Sequence, residues 1–393
     1  MKNPSKSTPS WSAVYGVALG VSGLIVSEFL PISLLTPMAK DLHITEGVAG
    51  QAISVTAIVA LFASLLTATV TRRTDRRWVM WIFCGLQITS NLVVAFAPNF
   101  TLLLIGRVLL GIGIGGFWSM AAAMAMRLVP QEEVPKALAI IFGAASIATV
   151  LAAPLGSFLG DHLGWSSVFL LSAVVGGIAL IWQLMTLPAM PTSSTANLNT
   201  LLSVLKRPSI KSGMLATMLS FMAYATFVTY LRPFLEKITG VNPNLLSVIL
   251  LAFGIANFLG ATFARYPLQA SLKRSLVGAP LLLCVAVAFL VLCGKNMPLA
   301  TGLIAFWGLV YGVIQVGWTA WLTKAVPDET ESAGGIQVAV IQLAIFIGAG
   351  AGGVLIDHKG VNGVFILSSV IALLAMLITY VSFKRASRRL QAA

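Results

Sequence analysis

The segment Pro154–Val174 reads PLGSFLGDHLGWSSVFLLSAV, and the segment Gly350–Val370 reads GAGGVLIDHKGVNGVFILSSV. Ten of these 21 positions are identical at a constant offset of 196 residues, about half the chain. The matches include two glycines and an Asp-His pair that begins at Asp161 and Asp357, which is more than chance similarity between apolar segments explains. The chain therefore contains an internal repeat, and each copy covers the end of one apolar segment and the start of the next.

The composition excludes a soluble protein. Only 9% of the 393 residues are charged and 58% are hydrophobic, whereas a soluble domain carries about 25% charged residues. The net charge of +13 does not indicate nucleic acid binding, because the basic residues form short clusters between apolar runs, as in membrane proteins. The cysteines Cys84, Cys284 and Cys293 lie within apolar runs and have no metal-ligand or disulfide spacing.

The apolar runs predict twelve membrane-spanning helices, since about 20 apolar residues cross a bilayer. They lie near 12–36, 48–70, 79–97, 101–126, 136–159, 165–187, 212–235, 244–264, 275–294, 298–323, 333–356 and 361–383. A polar linker, 188–211, separates an N-terminal six-helix half, 1–187, from a C-terminal six-helix half, 212–393. We therefore predict an all-α membrane protein with two pseudo-symmetric halves, which is one known plan for transporters.

The distribution of Lys and Arg predicts the orientation of the chain. With a cytoplasmic N-terminus, nineteen Lys and Arg residues fall on the cytoplasmic side and five on the other. Cytoplasmic loops carry the excess of positive charge. Both termini and the linker are therefore expected in the cytoplasm.

Two ionisable residues are predicted at membrane depth, where such groups are costly and commonly functional. Glu28 is the one acidic residue within a predicted span, and Arg107 is the one basic residue deep within a span. We expect Glu28 to carry the coupling proton, with a structural carboxylate as the alternative. Arg107 either takes part in proton coupling or fixes helix packing, and the sequence does not decide whether it pairs with Glu28. Arg232 is expected at the outer end of span seven, reaching the membrane surface.

Polar and aromatic residues within the spans are candidates for a binding cavity, because they suit a planar or amphipathic substrate. For each of them the alternative is a role in helix packing or at the membrane interface. The candidates are Trp118, Ser119, Tyr224, Tyr230, Asn257, Trp307, Tyr311, Gln315, Trp318, Gln337 and Gln342.

Two motifs resemble the twelve-helix drug/proton antiporter branch of the major facilitator superfamily. Arg107-x-x-x-Gly111-x-Gly113 is similar to its fourth-helix motif, and Ala153-Pro154-Leu155-Gly156 to the fifth-helix motif of its exporters. The resemblance implies a coupling role for Arg107 and a gating or bending role for Gly111, Pro154 and Gly156. The loop after span two departs from the family pattern: Asp75 stands where a glycine is usual, and only Arg76-Arg77 agree. Asp75, Arg76 and Arg77 are expected to have a gating or structural role.

Longer stretches resemble the bacterial purine ribonucleoside exporters within this branch. They run from Glu28 to Leu42, Glu46 to Gln51, Leu155 to Gly160 and Gly335 to Leu343. The resemblance implies export of inosine- or guanosine-like nucleosides by proton antiport across the bacterial inner membrane. A multidrug, sugar or amphenicol exporter is the alternative within the family.

Other classes fit the sequence less well. A sensor or scaffold would be expected to carry a sizeable soluble domain, and a membrane enzyme would need a cluster of catalytic or metal-binding residues. No phosphate-binding loop, cofactor or metal site is indicated. We therefore expect a non-enzymatic secondary transporter whose partners are a small substrate, protons and lipid, and which functions as a monomer.

Overall fold

The chain forms long helices joined by short turns. The computed structural model describes residues 10–190, 208–326 and 330–392, and within these ranges it contains no strand. The helices are α1 (Trp11–Ser33), α2 (Leu35–Asp41), α3 (Glu46–Val70), α4 (Arg76–Ala95), α5 (Phe100–Leu128), α6 (Val134–Leu163), α7 (Trp165–Thr186), α8 (Pro208–Thr229), α9 (Leu231–Phe234), α10 (Pro243–Phe263), α11 (Arg265–Cys293), α12 (Met297–Ala325) and α13 (Thr330–Ala392). A 3-10 turn (Gln131–Glu133) precedes α6, and a π-helical turn (Leu235–Thr239) follows α9.

Eleven helices in the described ranges are long and apolar enough to cross a membrane. The last of them, α13, is interrupted at Gly360, whose backbone is not helical. Residues 330–359 and 361–392 are therefore two separate arms, each longer than a bilayer requires. The predicted all-α fold of twelve spans is confirmed.

The internal repeat is visible in the backbone. Gly164 separates α6 from α7 with φ 82° and ψ 148°, and Gly360 separates the arms of α13 with φ 71° and ψ −178°. This region of backbone space is accessible essentially only to glycine. The repeated glycine is thus required because each copy turns the chain sharply between two spans.

Side-chain caps begin several spans. The N-cap side chains of Thr45, Asn99, Asn242 and Asn296 each accept a hydrogen bond from the backbone N–H three residues later. Such bonds satisfy N–H groups that have no partner inside the helix. The caps place the starts of α3, α5, α10 and α12 close to the predicted boundaries.

Helices α1 to α7 of the N-terminal half and helices α8 to α13 of the C-terminal half meet along two pairs of helices. Helix α3 packs against α13, and α6 packs against α10. A Cβ atom added to Gly47 would lie 2.1 Å from the carbonyl oxygen of Gly353, and one added to Gly254 would lie 3.0 Å from that of Val150. Small residues therefore allow the backbones of the two halves to approach closely.

The residues after α7 are tied to the N-terminal half. The Met190 N–H donates to the carboxylate of Asp75, and its carbonyl accepts from the Arg76 N–H and from Nη1 of Arg127. Asp75 also caps α4 by accepting from the Arg77 N–H. Most of the predicted linker, 191–207, lies outside the described residues.

Replacing Gly164 or Gly360 with Ala tests the turns of the repeat. Each change should lower the unfolding free energy by about 1–3 kcal/mol, because alanine is strained in this backbone region. Thermal unfolding in detergent measures the effect. Gly278→Ala is the matched control, because Gly278 is helical and a Cβ there meets no atom within 4 Å. Equal midpoints for Gly360→Ala and Gly278→Ala would contradict the assignment.

Candidate functional site

A cavity of about 310 Å³ lies between the two halves. Helices α1, α5 and α6 line it from the N-terminal half, and α8, α10, α12 and α13 line it from the C-terminal half. Seven of the residues singled out in the sequence line this cavity: Glu28, Trp118, Tyr224, Asn257, Tyr311, Gln315 and Gln342. Segments that are far apart in the chain thus build one site.

Glu28 places a carboxyl group in the wall of the cavity. It lies on α1, two residues before the fully buried Leu30 and three before Pro31, which stands inside the helix. Arg107 is near enough to act electrostatically on this carboxylate from the same half, and the side chain of Gln342 approaches it from the opposite half. The Oε1 atom of Gln342 is buried without a hydrogen-bond partner. The carboxyl group of Glu28 therefore interacts with residues of both halves.

Arg107 is fully buried, and its guanidinium is held by backbone and hydroxyl oxygens. Nη1 donates to the carbonyl of Ser27 at 2.8 Å, and Nε donates to Oγ1 of Thr56 at 2.9 Å. Nη2 reaches the backbone carbonyl of Glu28 at 3.4 Å. In the described chain, no ion pair joins Arg107 to the Glu28 carboxylate. Arg107 thus fastens α1 and α3 onto α5 beside the acid.

Stacked rings form one wall of the cavity. Tyr224 on α8 and Tyr311 on α12 are parallel within 6°, with ring centroids 4.0 Å apart. Behind them, Trp307 stacks on Phe227 at 4.2 Å and on Tyr311 at 5.5 Å. Trp307 is buried behind these rings and is not part of the cavity lining, so it supports the wall. The flat faces of such rings suit a planar ligand.

Hydroxyl groups that the sequence analysis missed occupy the opposite wall. Ser146 and Thr149 on α6 line the cavity, and each donates its proton at 2.9 Å to the carbonyl four residues earlier. Their oxygens remain free to accept hydrogen bonds. Serine and threonine make this bond in many helices, so no signal in the sequence marks these two. The amide of Asn257 faces the same space from α10.

Besides Trp307, four of the candidate binding residues do not line the cavity. The Ser119 hydroxyl donates to the Gly116 carbonyl of its own helix, and Trp318 Nε1 donates to Ser220. Tyr230 is buried and its hydroxyl donates to the Ala349 carbonyl, and Gln337 is also absent from the cavity lining. The predicted binding roles of these residues are not supported by contact with the cavity.

The glycines and proline of the two family-like motifs lie in helix contacts. A Cβ on Gly111 would lie 2.6 Å from the Thr56 carbonyl, and one on Gly156 would lie 2.5 Å from Ser33 Oγ. Pro154 lies inside α6. These positions therefore set how closely α3, α1 and their neighbours approach one another.

The basic residues after α3 lie at the opposite end of the helices from the Asp161 turn. Arg76 is buried and donates to Thr71 Oγ1 at 2.6 Å, while the Arg77 guanidinium lies 5.1 Å from the centre of the Trp81 ring.

No group of three or more His, Cys, Asp or Glu side chains within the described ranges is suited to hold a metal ion.

Comparison with known proteins gives consistent matches over nearly the whole chain. The family model for the Major Facilitator Superfamily matches residues 17–237 and 213–392. The purine ribonucleoside efflux pump NepI of Escherichia coli (strain K12) is 48% identical over 372 residues, which cover 94% of each chain. The protein of the same name from Salmonella typhimurium (strain LT2) is 47% identical over 370 residues, covering 94% of this chain and 93% of that one.

Solved structures share the fold at low sequence identity. A D-xylose-proton symporter matches with a TM-score of 0.76 and 16% identity, covering 95% of this chain and 98% of the other. A bacterial homolog of the human lysosomal transporter Spinster matches with a TM-score of 0.77 and 13% identity, covering 95% and 96%.

Arg107→Lys tests whether the guanidinium fastens three helices. A lysine cannot reproduce the forked set of bonds, so oxygens of Ser27 and Thr56 lose their donors. We expect a loss of about 1–3 kcal/mol in unfolding free energy, measured by thermal unfolding in detergent. Arg274→Lys is the control, because Arg274 is exposed. Unchanged stability of Arg107→Lys would argue against the fastening role.

Proposed function

The chain belongs to the major facilitator superfamily, and we propose that it exports purine ribonucleosides, such as inosine or guanosine, from the cytoplasm in exchange for protons. The relatives that are 47–48% identical over 94% of this chain bear the name of purine ribonucleoside efflux pumps. The fold of two six-helix halves supports transport by alternating access, in which the halves rock around a central site. The protein is therefore a transporter and not an enzyme.

The observation that carries the proton-coupling proposal is the position of Glu28. Its carboxyl group lies in the wall of a cavity that both halves line, beside Arg107 and facing Gln342. Low dielectric surroundings penalise a carboxylate, so proton binding changes the electrostatics of this cavity strongly. Gln342 belongs to the other half, and a change of charge on Glu28 therefore alters a contact between the halves.

Coupling requires that protons and substrate favour opposite arrangements of the two halves. In the proposed cycle, ionised Glu28 accompanies substrate binding from the cytoplasm. Protonation from outside accompanies release of the substrate there, and the proton is returned to the cytoplasm as the cavity opens inward. Arg107 holds α1 in register so that the carboxyl group stays at the cavity.

The two walls of the cavity differ in a way that matches a nucleoside. The C-terminal half supplies the parallel rings of Tyr224 and Tyr311 and the amide of Asn257, which suit stacking and edge hydrogen bonds of a purine base. The N-terminal half supplies the oxygens of Ser146 and Thr149, which accept hydrogen bonds from ribose hydroxyls. The base thus binds the C-terminal half and the sugar binds the N-terminal half.

The setting in the cell follows from the charge distribution. The proposed location is the bacterial inner membrane, with both termini and the linker 188–211 in the cytoplasm, because nineteen Lys and Arg residues fall on that side against five. Each half, 1–187 and 212–393, then acts as one rocking unit, and the cavity is complete within one chain, so the proposed transporter is a monomer.

Uptake of radiolabelled inosine into everted membrane vesicles tests the function. With an inside-acid gradient, the wild type should accumulate inosine, and a protonophore should abolish the accumulation. Glu28→Gln should lose accumulation driven by the gradient but retain exchange of labelled for unlabelled inosine, because it binds substrate without carrying a proton. Initial rates and plateau levels are measured for both reactions.

Glu132→Gln is the matched control, since it makes the same chemical change at an exposed position outside the cavity. Gradient-driven accumulation by Glu28→Gln at the wild-type level would refute the coupling role. Absence of inosine transport by folded wild-type protein would refute the purine proposal and leave drugs, sugars or amphenicols as the substrates to test.

Competition by nucleoside analogues tests the orientation of the substrate. Thr149→Ala should reduce the preference for inosine over 2′,3′-dideoxyinosine by about threefold to tenfold, the value of one hydrogen bond. Asn257→Ala should weaken the binding of both compounds equally, because the Asn257 amide is proposed to contact the base, which the two compounds share. Thr262→Ala is the control, since Thr262 also donates to the carbonyl four residues earlier but lies outside the cavity. An unchanged preference in Thr149→Ala would contradict the orientation.

A further inference from the structure

The repeated aspartates found in the sequence are not used by the proposed binding site. Asp161 lies in the last turn of α6, three residues before Gly164, and Asp357 lies at the end of the first arm of α13, three residues before the turn at Gly360. Both stand at the same end of the helices, which the charge distribution assigns to the outer side. Each of them contacts the opposite half of the protein.

Asp161, in the N-terminal half, binds Arg232 of the C-terminal half. The Arg232 Nη2 atom lies 2.9 Å from Asp161 Oδ1, and its Nη1 atom donates to the carbonyl of Ser33 in α1. Nε also donates to Glu236 at 2.7 Å. The Arg232 side chain is only 4% exposed, so the sequence-based expectation that it reaches the membrane surface is wrong. Its charge is instead compensated by two carboxylates and a carbonyl.

Asp357, in the C-terminal half, binds the start of α3 in the N-terminal half. Its Oδ2 atom accepts from Thr45 Oγ1 at 2.8 Å, and its Oδ1 atom accepts from the Gly47 N–H at 3.2 Å. Unpaired N–H groups give a helix N-terminus a partial positive charge. The Asp357 carboxylate therefore has a positive partner at the N-terminus of α3, as Asp161 has in Arg232.

Tight packing between the halves surrounds the Asp357 contact. A Cβ on Gly353 would lie 2.6 Å from the Gly47 carbonyl, and a Cβ on Gly50 would lie 2.2 Å from the Tyr230 hydroxyl. Tyr230 belongs to the C-terminal half and Gly50 to the N-terminal half. The two halves are thus in direct contact beside Asp357, at the end of the helices where Asp161 also lies.

We infer that Asp161 and Asp357 form a two-part latch that closes the outer mouth of the transporter. The repeat provides one aspartate to each half, and each aspartate reaches across to the other half. The two aspartates are equivalent in the pseudo-symmetry of the fold, although their partners are not. Opening outward breaks both bonds together. This inference rests on the alternating access of the proposed function, but its test requires no substrate.

Chemical labelling from the two sides of the membrane tests the latch. The background carries Cys84, Cys284 and Cys293 replaced by alanine, and Ser54→Cys is the outer reporter. Ser54 lies on α3 beside Gly350, about one turn inward from Gly50, and is 1% exposed. In right-side-out vesicles, Asp161→Asn should raise labelling by a membrane-impermeant maleimide on the order of tenfold, because the buried Arg232 guanidinium loses a carboxylate partner. Asp357→Asn should raise this labelling as well, because one acceptor oxygen becomes an NH₂ group and one of the hydrogen bonds from Thr45 and Gly47 is lost.

A second reporter distinguishes opening from loosening. Ser146→Cys lies in the cavity and is exposed, and its labelling in inverted vesicles should fall as the outward-open population rises. An increase at both reporters would mean general loosening and would overturn the latch. Unchanged outer labelling in either folded variant would overturn the two-part assignment.

Two further variants guard against misfolding and non-specific charge effects. Lys237→Gln removes another contact between the halves at this mouth, the ion pair with Glu46, but the Lys237 side chain is 55% exposed. Such pairs contribute little, so its outer labelling should stay within about twofold of the parent. Asp161→Glu keeps the negative charge. The outer reporter, Ser54→Cys, should therefore be labelled more slowly in Asp161→Glu than in Asp161→Asn. Thermal unfolding checks that both variants are folded. Equal labelling of the outer reporter in the two folded variants would contradict a role for the Asp161–Arg232 ion pair in closing the mouth.

Discussion

The membrane interior offers no water to charged or polar groups, and this constraint governs where the protein keeps its few charges. Arg107 illustrates the consequence, because its guanidinium is fully buried and every bond it makes is supplied by α1 or α3. The charge can exist only while these helices stay packed on α5. In return, the helices are fixed against each other next to Glu28. The contacts that compensate the buried charge thus also fix the position of Glu28 at the cavity.

The same constraint explains why the two halves meet through small residues and a few polar contacts at the mouth. Apolar side chains gain little from association in lipid, so close backbone approach and hydrogen bonds determine the packing. Glycines allow α3 to approach α13 at Gly47 and Gly353. Contacts that involve few atoms can be broken and remade in a transport cycle.

The sequence was sufficient to predict the spans, the repeat and the fold, because these depend on hydropathy and on positions that only glycine can occupy. It also predicted seven residues that line the cavity, since polar side chains inside apolar helices are rare. It could not distinguish Tyr224 from Tyr230: both are aromatic, but one lines the cavity and the other packs on Gly50. Nor could it show that Arg232 turns inward, because this depends on Asp161, 71 residues away in the chain.

Equivalent positions in the two copies of the internal repeat differ in their chemistry. Asp161 and Asp357 occupy the same place in the repeat, yet one binds a guanidinium and the other a helix N-terminus. A carboxylate at the mouth needs a positive partner in the opposite half, and either source of positive charge meets this need. The cavity shows the same divergence, since stacked rings stand on one side and hydroxyl oxygens on the other. A duplicated fold retains the geometry of rocking halves because the backbone is repeated. The side chains that face the cavity are not repeated, and the cavity can therefore bind an asymmetric substrate.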